Sequence, residues 1–285
     1  MTIDRADELM HVPSTDGVEI AVHDLGGSGA ALLVSHATGF HGRCYQPFAE
    51  ALPGRHCVAF DYRGHGDTSR PDGPLEWPQY GDDAEAMAAW LAHRTGGPID
   101  AFGHSMGGAC LLMAAHRRPE LFRRIVAFEP IVFPPAARNA DPAGNLLAQG
   151  ALRRRAVFAS FAAAIANFAA KPPLNGFAPA ALEAYVRHGF REGADGQVHL
   201  KCTPQTESQT FAGGATHDTW DHLLAITTEV VVVTGRVEEF QPSGIAADIA
   251  ARLPNSRFVQ RDDLDHFGPM THPVEMAEIV TQALA

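Results

Sequence analysis

Short apolar runs alternate with longer amphipathic stretches along most of the chain. Five runs show the continuous apolar character of strands buried on both faces, at residues 31–34, 57–60, 99–102, 125–128 and 230–233. Apolar residues recur with helical spacing in four stretches between or after them, at residues 82–93, 106–117, 244–253 and 274–284. This alternation predicts an α/β fold with a mostly parallel sheet and crossover helices.

The alternation stops between residues 134 and 222, where no strong buried-strand run occurs. This interval is rich in alanine, and its bulky residues recur at steps of three, four and three: Phe158, Phe161, Ile165 and Phe168. That spacing predicts one face of a buried helix. Because strands resume directly afterwards, we interpret 134–222 as a helical cap inserted into a core of residues 1–133 and 223–285. An insertion at the carboxyl edge of the sheet would cover the place where such folds bind ligands.

Composition narrows the classes of function. The chain has 285 residues, 46% of them hydrophobic, which suits one large globular domain. Its net charge of -11 disfavours binding to nucleic acid and to anionic membranes. The four cysteines are scattered without a CxxC pair, which disfavours a zinc site and favours reduced thiols. The acidic amino terminus is unlike a signal peptide, and the apolar segment 156–170 is too short to span a bilayer, so we expect a cytoplasmic protein without membrane insertion.

The strongest motif is Gly103-His104-Ser105-Met106-Gly107, which follows the third apolar run. It matches the G-x-S-x-G nucleophile elbow, a sharp turn that lifts a serine out of a strand before a helix begins. Glycine is needed on both sides because a Cβ there would collide with the neighbouring chain. A predicted strand precedes this motif and an apolar helix follows it, as the elbow requires, so we interpret Ser105 as a nucleophile.

Together with other segments, this motif resembles those of the serine α/β-hydrolase superfamily over nearly the whole chain. The further segments are Ser35-His36-Ala37-Thr38-Gly39, Asp61-Tyr62-Arg63-Gly64-His65-Gly66, Thr234-Gly235-Arg236-Val237-Glu238 and Asp265-His266-Phe267-Gly268-Pro269. The resemblance implies a central sheet of about eight strands, a helical cap, and a catalytic triad in the chain order serine, acid, histidine. No H-x-E-x-x-H-like spacing suggests a metal site, and we expect neither a metal ion nor a cofactor.

The resemblance also implies an oxyanion hole made of two backbone amides. One belongs to Met106, the residue after the nucleophile. The other belongs by position to Thr38, although Ala37 stands where the family usually has glycine, which leaves this donor open. We interpret His36 as a structural residue that holds the loop.

The general base of such a triad is a histidine that follows the last strand. His266 occupies that place, in a predicted loop after residues 257–260. His272 is the competitor, but it directly precedes Pro273 and is expected to cap the final helix.

The sequence leaves the triad acid open between two glutamates. Glu238 lies three residues after Gly235, the family spacing, and is slightly preferred; Glu239 would serve in a loop shifted by one residue. Glu129 is the alternative, because a carboxylate beside so apolar a run needs a partner such as His266. Asp263 is the next candidate if neither glutamate serves.

These residues predict a serine hydrolase that cleaves a small, hydrophobic carboxylic ester, thioester or lactone through an acyl-enzyme. Three alternatives remain: a C–C bond hydrolase, a cofactor-free haloperoxidase or perhydrolase, and a hydrolase-fold receptor with slow turnover. Haloalkane dehalogenases and epoxide hydrolases are disfavoured, because they need aspartate at position 105. The sequence leaves the substrate and a homo-oligomeric state open.

Overall fold

The structure is a computed structural model that describes residues 9–137, 144–238 and 242–285. Its strands are β1 Met10–Pro13, β2 Glu19–Gly27, β3 Ala30–Ser35, β4 Arg55–Phe60, β5 Ile99–His104, β6 Phe122–Phe128, β7 Val157–Phe158, β8 Phe190–Glu192, β9 Val198–Leu200, β10 Glu229–Thr234 and β11 Ser256–Gln260. Its α-helices are α1 Gln46–Glu50, α2 Trp77–Thr95, α3 Met106–Arg117, α4 Leu146–Leu152, α5 Phe161–Ala169, α6 Pro179–Gly189, α7 Pro204–Gly213, α8 Thr219–His222, α9 Ala246–Arg252, α10 Gly268–Thr271 and α11 Pro273–Ala283.

Eight strands form the central sheet, in the order β1-β2-β4-β3-β5-β6-β10-β11. Neighbouring strands pair in parallel through the series β4, β3, β5, β6, β10 and β11. At the other edge, β1 pairs with β2 and β2 pairs with β4 in antiparallel fashion. The five predicted strands lie within β3, β4, β5, β6 and β10, so the predicted α/β-hydrolase fold is confirmed. The carboxyl ends of β3, β5, β6 and β10 meet at one edge, where the candidate site residues lie.

Side chains from alternate positions of each central strand enter two separate cores, one on each face of the sheet. Val230 and Val232 pack in the core that contains α2, α3 and α9. Val231 and Val233 pack in the opposite core, with α1 and α11. Burial on both faces explains why these runs are continuously apolar.

Across the described residues, no helix combines the length and the apolar character needed to cross a bilayer.

The segment between β6 and β10 is less purely helical than expected. Among its described residues it contains α4–α8, and also a three-stranded antiparallel sheet in the order β7-β9-β8. Phe158 therefore lies on β7 and does not continue the helical face of Phe161, because α5 begins only after Ser160. The Ser160 side chain caps this helix by accepting a hydrogen bond from the amide of Ala163, at 3.1 Å.

A buried ion pair fixes the turn after β4. Arg63 and Asp83, on α2, are both fully buried, and the guanidinium donates to both carboxylate oxygens at 2.7 and 2.9 Å. The backbone amide of Arg63 donates to the same carboxylate at 3.1 Å. Arg63 therefore ties the Asp-Tyr-Arg-Gly-His-Gly turn to α2, a structural role.

We expect Asp83→Asn to lower the free energy of unfolding by about 3–5 kcal/mol, because it removes the fully buried charge partner of Arg63 and leaves only the half-exposed Asp16. Asp82→Asn is the matched control, since Asp82 is partly exposed and pairs with Arg117 at the surface. It should cost less than about 1 kcal/mol. Urea unfolding of both variants measures the difference, and equal stabilities would contradict the role given to Arg63.

Candidate active site

Ser105 lies between the end of β5 and the start of α3, in a strained turn. Its backbone has φ 56° and ψ -114°, a conformation that a non-glycine residue seldom adopts. Its amide donates to the carbonyl of Phe128 on β6 at 2.9 Å, and its carbonyl accepts from Ile131 at 3.3 Å. The turn predicted from the motif is therefore present, with Ser105 at the carboxyl edge of the sheet.

The glycines of the motif are required by close approach of the backbone. A Cβ on Gly103 would lie 2.7 Å from the Cα of Gly108, and a Cβ on Gly107 would collide with the carbonyl of Ser35 on β3. These contacts place the first turn of α3 directly against β3 and β5.

Glu129 directly follows β6, and its carboxylate joins three segments of the chain. One oxygen, Oε1, accepts hydrogen bonds from the amide of Gly235 at 2.9 Å and from the hydroxyl of Thr234 at 3.2 Å. The other, Oε2, lies 2.6 Å from Nδ1 of His266. Glu129 is 1% exposed, and its φ of 46° is positive, as at Ser105. Sequence reasoning did not identify Thr234 or Gly235 as its partners, although Thr234 is the polar residue that ends an apolar run.

The preferred acid of the sequence analysis, Glu238, does not meet His266. Its side chain is 53% exposed, and its carboxylate lies 3.6 Å from Arg236. The reason is tertiary: the loop leaves the sheet after Gly235, and the donors at the end of β10 are already bonded to Glu129. Glu239 lies outside the described residues, and Asp263 is exposed and paired with Arg261 at 2.7 Å.

His266 lies in the loop between β11 and α10, as expected. Because the Glu129 carboxylate can only accept when ionised, Nδ1 of His266 carries the proton and Nε2 is the ring nitrogen left as an acceptor. The backbone carbonyl of His266 accepts from Nε2 of His104 at 2.8 Å, which holds the loop against the residue before Ser105. His272, the competitor, is exposed and precedes α11.

The loop after β3 presents the amide of Thr38 in a fixed direction. The carbonyl of Ala37 accepts from Nδ1 of His36 at 2.8 Å and from the amide of Phe40 at 3.1 Å. In a trans peptide the carbonyl and the following N–H point in opposite directions, so the Thr38 N–H points away from those two donors. The amide of Ala37 itself donates to the hydroxyl of Tyr45 at 3.1 Å, so this amide already has a partner.

Met106 is the other predicted donor. As the first residue of α3, it has an amide that the helix itself cannot satisfy. The hydroxyl of Thr38 lies 3.4 Å from the sulfur of Met106, so the two predicted donor residues are neighbours.

His36 holds the loop, as expected. Its Nε2 accepts from the amide of Tyr62 at 2.9 Å, which ties the end of β3 to the turn after β4. Burial, with a smaller contribution from His65, lowers the pKa of His36 to about 3, so the ring stays neutral and keeps this acceptor.

Among the described residues, His23, Asp61 and Asp67 form a cluster whose potential metal-ligating atoms lie within 4.8 Å of one another. The cluster has a structural explanation. The carboxylate of Asp61 accepts from the amides of Gly42 and Asp67, both at 2.7 Å, and from His23 at 2.8 Å. Asp67 in turn pairs with Lys201 at 2.6 Å. These bonds fix the turn after β4 and the loop before α1.

Residues of the segment between β6 and β10 contact the loops around Ser105. The carbonyl of Tyr185 on α6 accepts from His41 at 3.1 Å. Phe40, in the loop after β3, packs on Phe177, with ring centroids 6.0 Å apart, and on Phe267, beside His266, at 6.3 Å. The surroundings of the site on this side are therefore aromatic.

A charged pair lies in the same segment. Arg154 bonds to Glu207 at 2.5 Å, and the carboxylate of Glu207 lies so close to Gly39 that a Cβ there would collide with it. Arg154 also bonds to the hydroxyl of Tyr185. Sequence reasoning gave no role to Glu207, because nothing in its local pattern marks it.

Comparison with known proteins gives matches over most of the chain. A model described as the alpha/beta hydrolase family matches residues 31–279. The chain is 25% identical to 2-(acetamidomethylene)succinate hydrolase of Mesorhizobium japonicum, over 85% of this chain and 83% of that protein. It is 32% identical to Lipase LipV of Mycobacterium tuberculosis over 46% of this chain, a match that spans 49% of the lipase.

Solved structures share the fold. A thioesterase domain from the curacin biosynthetic pathway superposes with a TM-score of 0.78 at 16% identity, covering 99% of this chain and all of that one. E-2-(acetamidomethylene)succinate hydrolase superposes with a TM-score of 0.77 at 22% identity, covering 97% of this chain and 99% of that one.

The tight packing of the turn around Ser105 predicts that replacing its Gly107 by alanine destabilises the protein. Replacing glycine inside a helix usually stabilises it, by about 0.5–1 kcal/mol. We expect Gly107→Ala instead to lower the free energy of unfolding by about 1–3 kcal/mol, because the new methyl group overpacks against Ser35. Gly97→Ala is the control, since a Cβ there meets no atom within 4 Å. Denaturant unfolding measures both, and a stabilised Gly107→Ala protein would contradict the packing of the elbow.

Proposed function

The chain belongs to the alpha/beta hydrolase family and is a hydrolase of that class, and we propose that it cleaves the acyl bond of a small carboxylic ester, thioester or lactone through an acyl-enzyme on Ser105. The observation that carries the proposal is the Glu129–His266 hydrogen bond of 2.6 Å at the sheet edge that presents Ser105. A carboxylate on Nδ1 is the arrangement by which a histidine becomes a general base for a serine.

In the proposed acylation step, the Oγ of Ser105 attacks the acyl carbon while Nε2 of His266 takes its proton. Glu129 fixes the tautomer of the ring and stabilises the imidazolium that forms. The negative charge that develops on the acyl oxygen is stabilised by the amides of Met106 and Thr38. His266 then gives its proton to the leaving alkoxide or thiolate, which departs as the alcohol or thiol.

Deacylation repeats these roles with water. His266 removes a proton from the water, which attacks the acyl-enzyme, and the collapse of the tetrahedral intermediate returns the proton to Ser105. The acid product leaves and the free enzyme is restored. Every step uses side chains and amides of this chain, without a cofactor.

The aromatic surroundings support a small, apolar acyl group as substrate. Phe40, Phe177 and Phe267 pack around the site, and the segment 134–222, which we propose to be its cap, contributes Phe177 and Tyr185. The charged pair Arg154–Glu207 adds a polar boundary beside Gly39. An assay panel should therefore vary acyl length. It should also include substrates with a free carboxylate, because the Mesorhizobium relative is named for a succinate, which carries carboxylates.

The test of the nucleophile is covalent labelling. We expect a fluorophosphonate to give one adduct, on the peptide that carries Ser105, and Ser105→Ala to lose both the adduct and hydrolysis of p-nitrophenyl esters. Labelling of Ser105→Ala at the wild-type rate would refute the proposal. A wild-type protein that is labelled yet hydrolyses no member of the panel would favour the receptor alternative.

The test of the acid compares two glutamates. We expect Glu129→Gln to reduce kcat by about 10⁴-fold, because the amide in place of the carboxylate no longer stabilises the imidazolium and favours the wrong tautomer. Glu238→Gln is the matched control and should stay within about twofold of wild type, since its side chain is exposed and paired with Arg236. Steady-state hydrolysis with circular dichroism as a folding check measures both. A normal Glu129→Gln variant beside an inactive Glu238→Gln variant would reverse the assignment.

A further inference from the structure

A second hydrogen-bonded chain lies beside the proposed triad and shares none of its side chains. Its members are Tyr45, at the start of α1, and His104, the residue before Ser105; both are fully buried. The hydroxyl of Tyr45 lies 3.1 Å from the amide of Ala37 and 2.9 Å from Nδ1 of His104. The Nε2 of His104 lies 2.8 Å from the carbonyl of His266.

The direction of each hydrogen bond follows from the groups involved. The carbonyl of His266 can only accept, so Nε2 of His104 carries a proton. Burial, reinforced by the nearby His266, lowers the pKa of His104 well below its usual value, so the ring is neutral and its Nδ1 has no proton. The hydroxyl of Tyr45 therefore donates to Nδ1 and accepts from the amide of Ala37. With His104 neutral and protonated on Nε2, all three hydrogen bonds have one donor and one acceptor.

This chain joins the three loops on which the proposed reaction depends. Ala37 precedes Thr38, the proposed oxyanion donor, and His104 precedes Ser105. The third loop is bonded directly, through the backbone carbonyl of His266. The separation between the proposed oxyanion donor and the proposed base is thus set through Tyr45 and His104.

We propose that Tyr45 and His104 are positioning residues, which hold the oxyanion loop and the His266 loop at a fixed separation across Ser105. This inference rests on the proposed hydrolysis at Ser105. Neither side chain transfers a proton to substrate. Their contribution is that Thr38 and His266 need no rearrangement when the transition state forms, which is the condition for effective electrostatic stabilisation.

The primary test removes one hydroxyl. Tyr45→Phe keeps the buried ring but leaves the amide of Ala37 and Nδ1 of His104 without their partner. We expect kcat for p-nitrophenyl ester hydrolysis to fall about 10-fold, less than the 10²–10³-fold effect of losing an oxyanion donor outright. KM should change by less than about twofold, because the substrate surroundings are unaltered.

Tyr80→Phe is the matched control. Tyr80 is equally buried, and its hydroxyl bonds to Thr210 at 2.7 Å, on the opposite face of the sheet from Tyr45. We expect Tyr80→Phe to keep kcat within about twofold of wild type. A Tyr45→Phe variant that matches Tyr80→Phe, in a protein labelled normally on Ser105, would overturn the positioning role and leave the hydrolase proposal intact.

A second comparison separates hydrogen bonding from packing at His104. Gln and Met have similar length and volume, but only Gln can donate to the carbonyl of His266. We expect His104→Gln to keep a kcat several-fold above that of His104→Met, with both variants checked for folding by circular dichroism. Equal activities, or a more active Met variant, would assign His104 to packing and overturn the inference. Absence of Ser105 labelling in the wild-type protein would overturn the proposed function, and this inference with it.

Discussion

The carboxylate of Glu129 is the contact on which the arrangement at the sheet edge depends. Burying an ionised carboxylate is costly unless hydrogen bonds replace its water. Here the replacement comes from the end of β10, through Thr234 and Gly235, and from the loop after β11, through His266. The same three bonds that make burial of the charge tolerable also fix the positions of these segments. Stability and proposed chemistry therefore share one group.

Strain accompanies this arrangement. Ser105 and Glu129 end adjacent strands, and both have positive φ, a backbone conformation that costs on the order of 1–3 kcal/mol per residue. Each is held by a backbone bond to the next strand: Ser105 to Phe128 and Glu129 to Val233, both at 2.9 Å. The rigid parallel sheet maintains two conformations that a flexible loop would relax, and each of them directs a side chain out of its strand at the same edge.

The local sequence pattern was sufficient to predict the central strands and the elbow at Ser105. Burial on both faces requires a run of consecutive apolar residues, and the close backbone contacts of the elbow require glycine at fixed positions. The antiparallel edge strands β1 and β2 were not predicted, and β7–β9 are too short to show periodicity. The contact of His266 with Glu129 and not with Glu238 depends on where the loop after β10 turns, which no spacing rule records. The sequence did point to Glu129, as the alternative acid, through the cost of a carboxylate in apolar surroundings, and the structure has this carboxylate 2.6 Å from Nδ1 of His266.

If the segment 134–222 is the cap that we propose, its hydrogen bonds to the sheet domain would limit how substrate reaches Ser105. Among the buried or partly buried hydrogen bonds that cross this boundary are His41 to Tyr185, Trp77 to Thr210, His217 to Ile131 and Ala178 to Met270. At about 1 kcal/mol each they sum to about 4 kcal/mol, so a form with all four broken would be on the order of a thousandth of the population. We therefore expect substrate to enter through an opening of nearly constant width. Such an opening would exclude molecules that are too large before they form any hydrogen bond or covalent bond with the site.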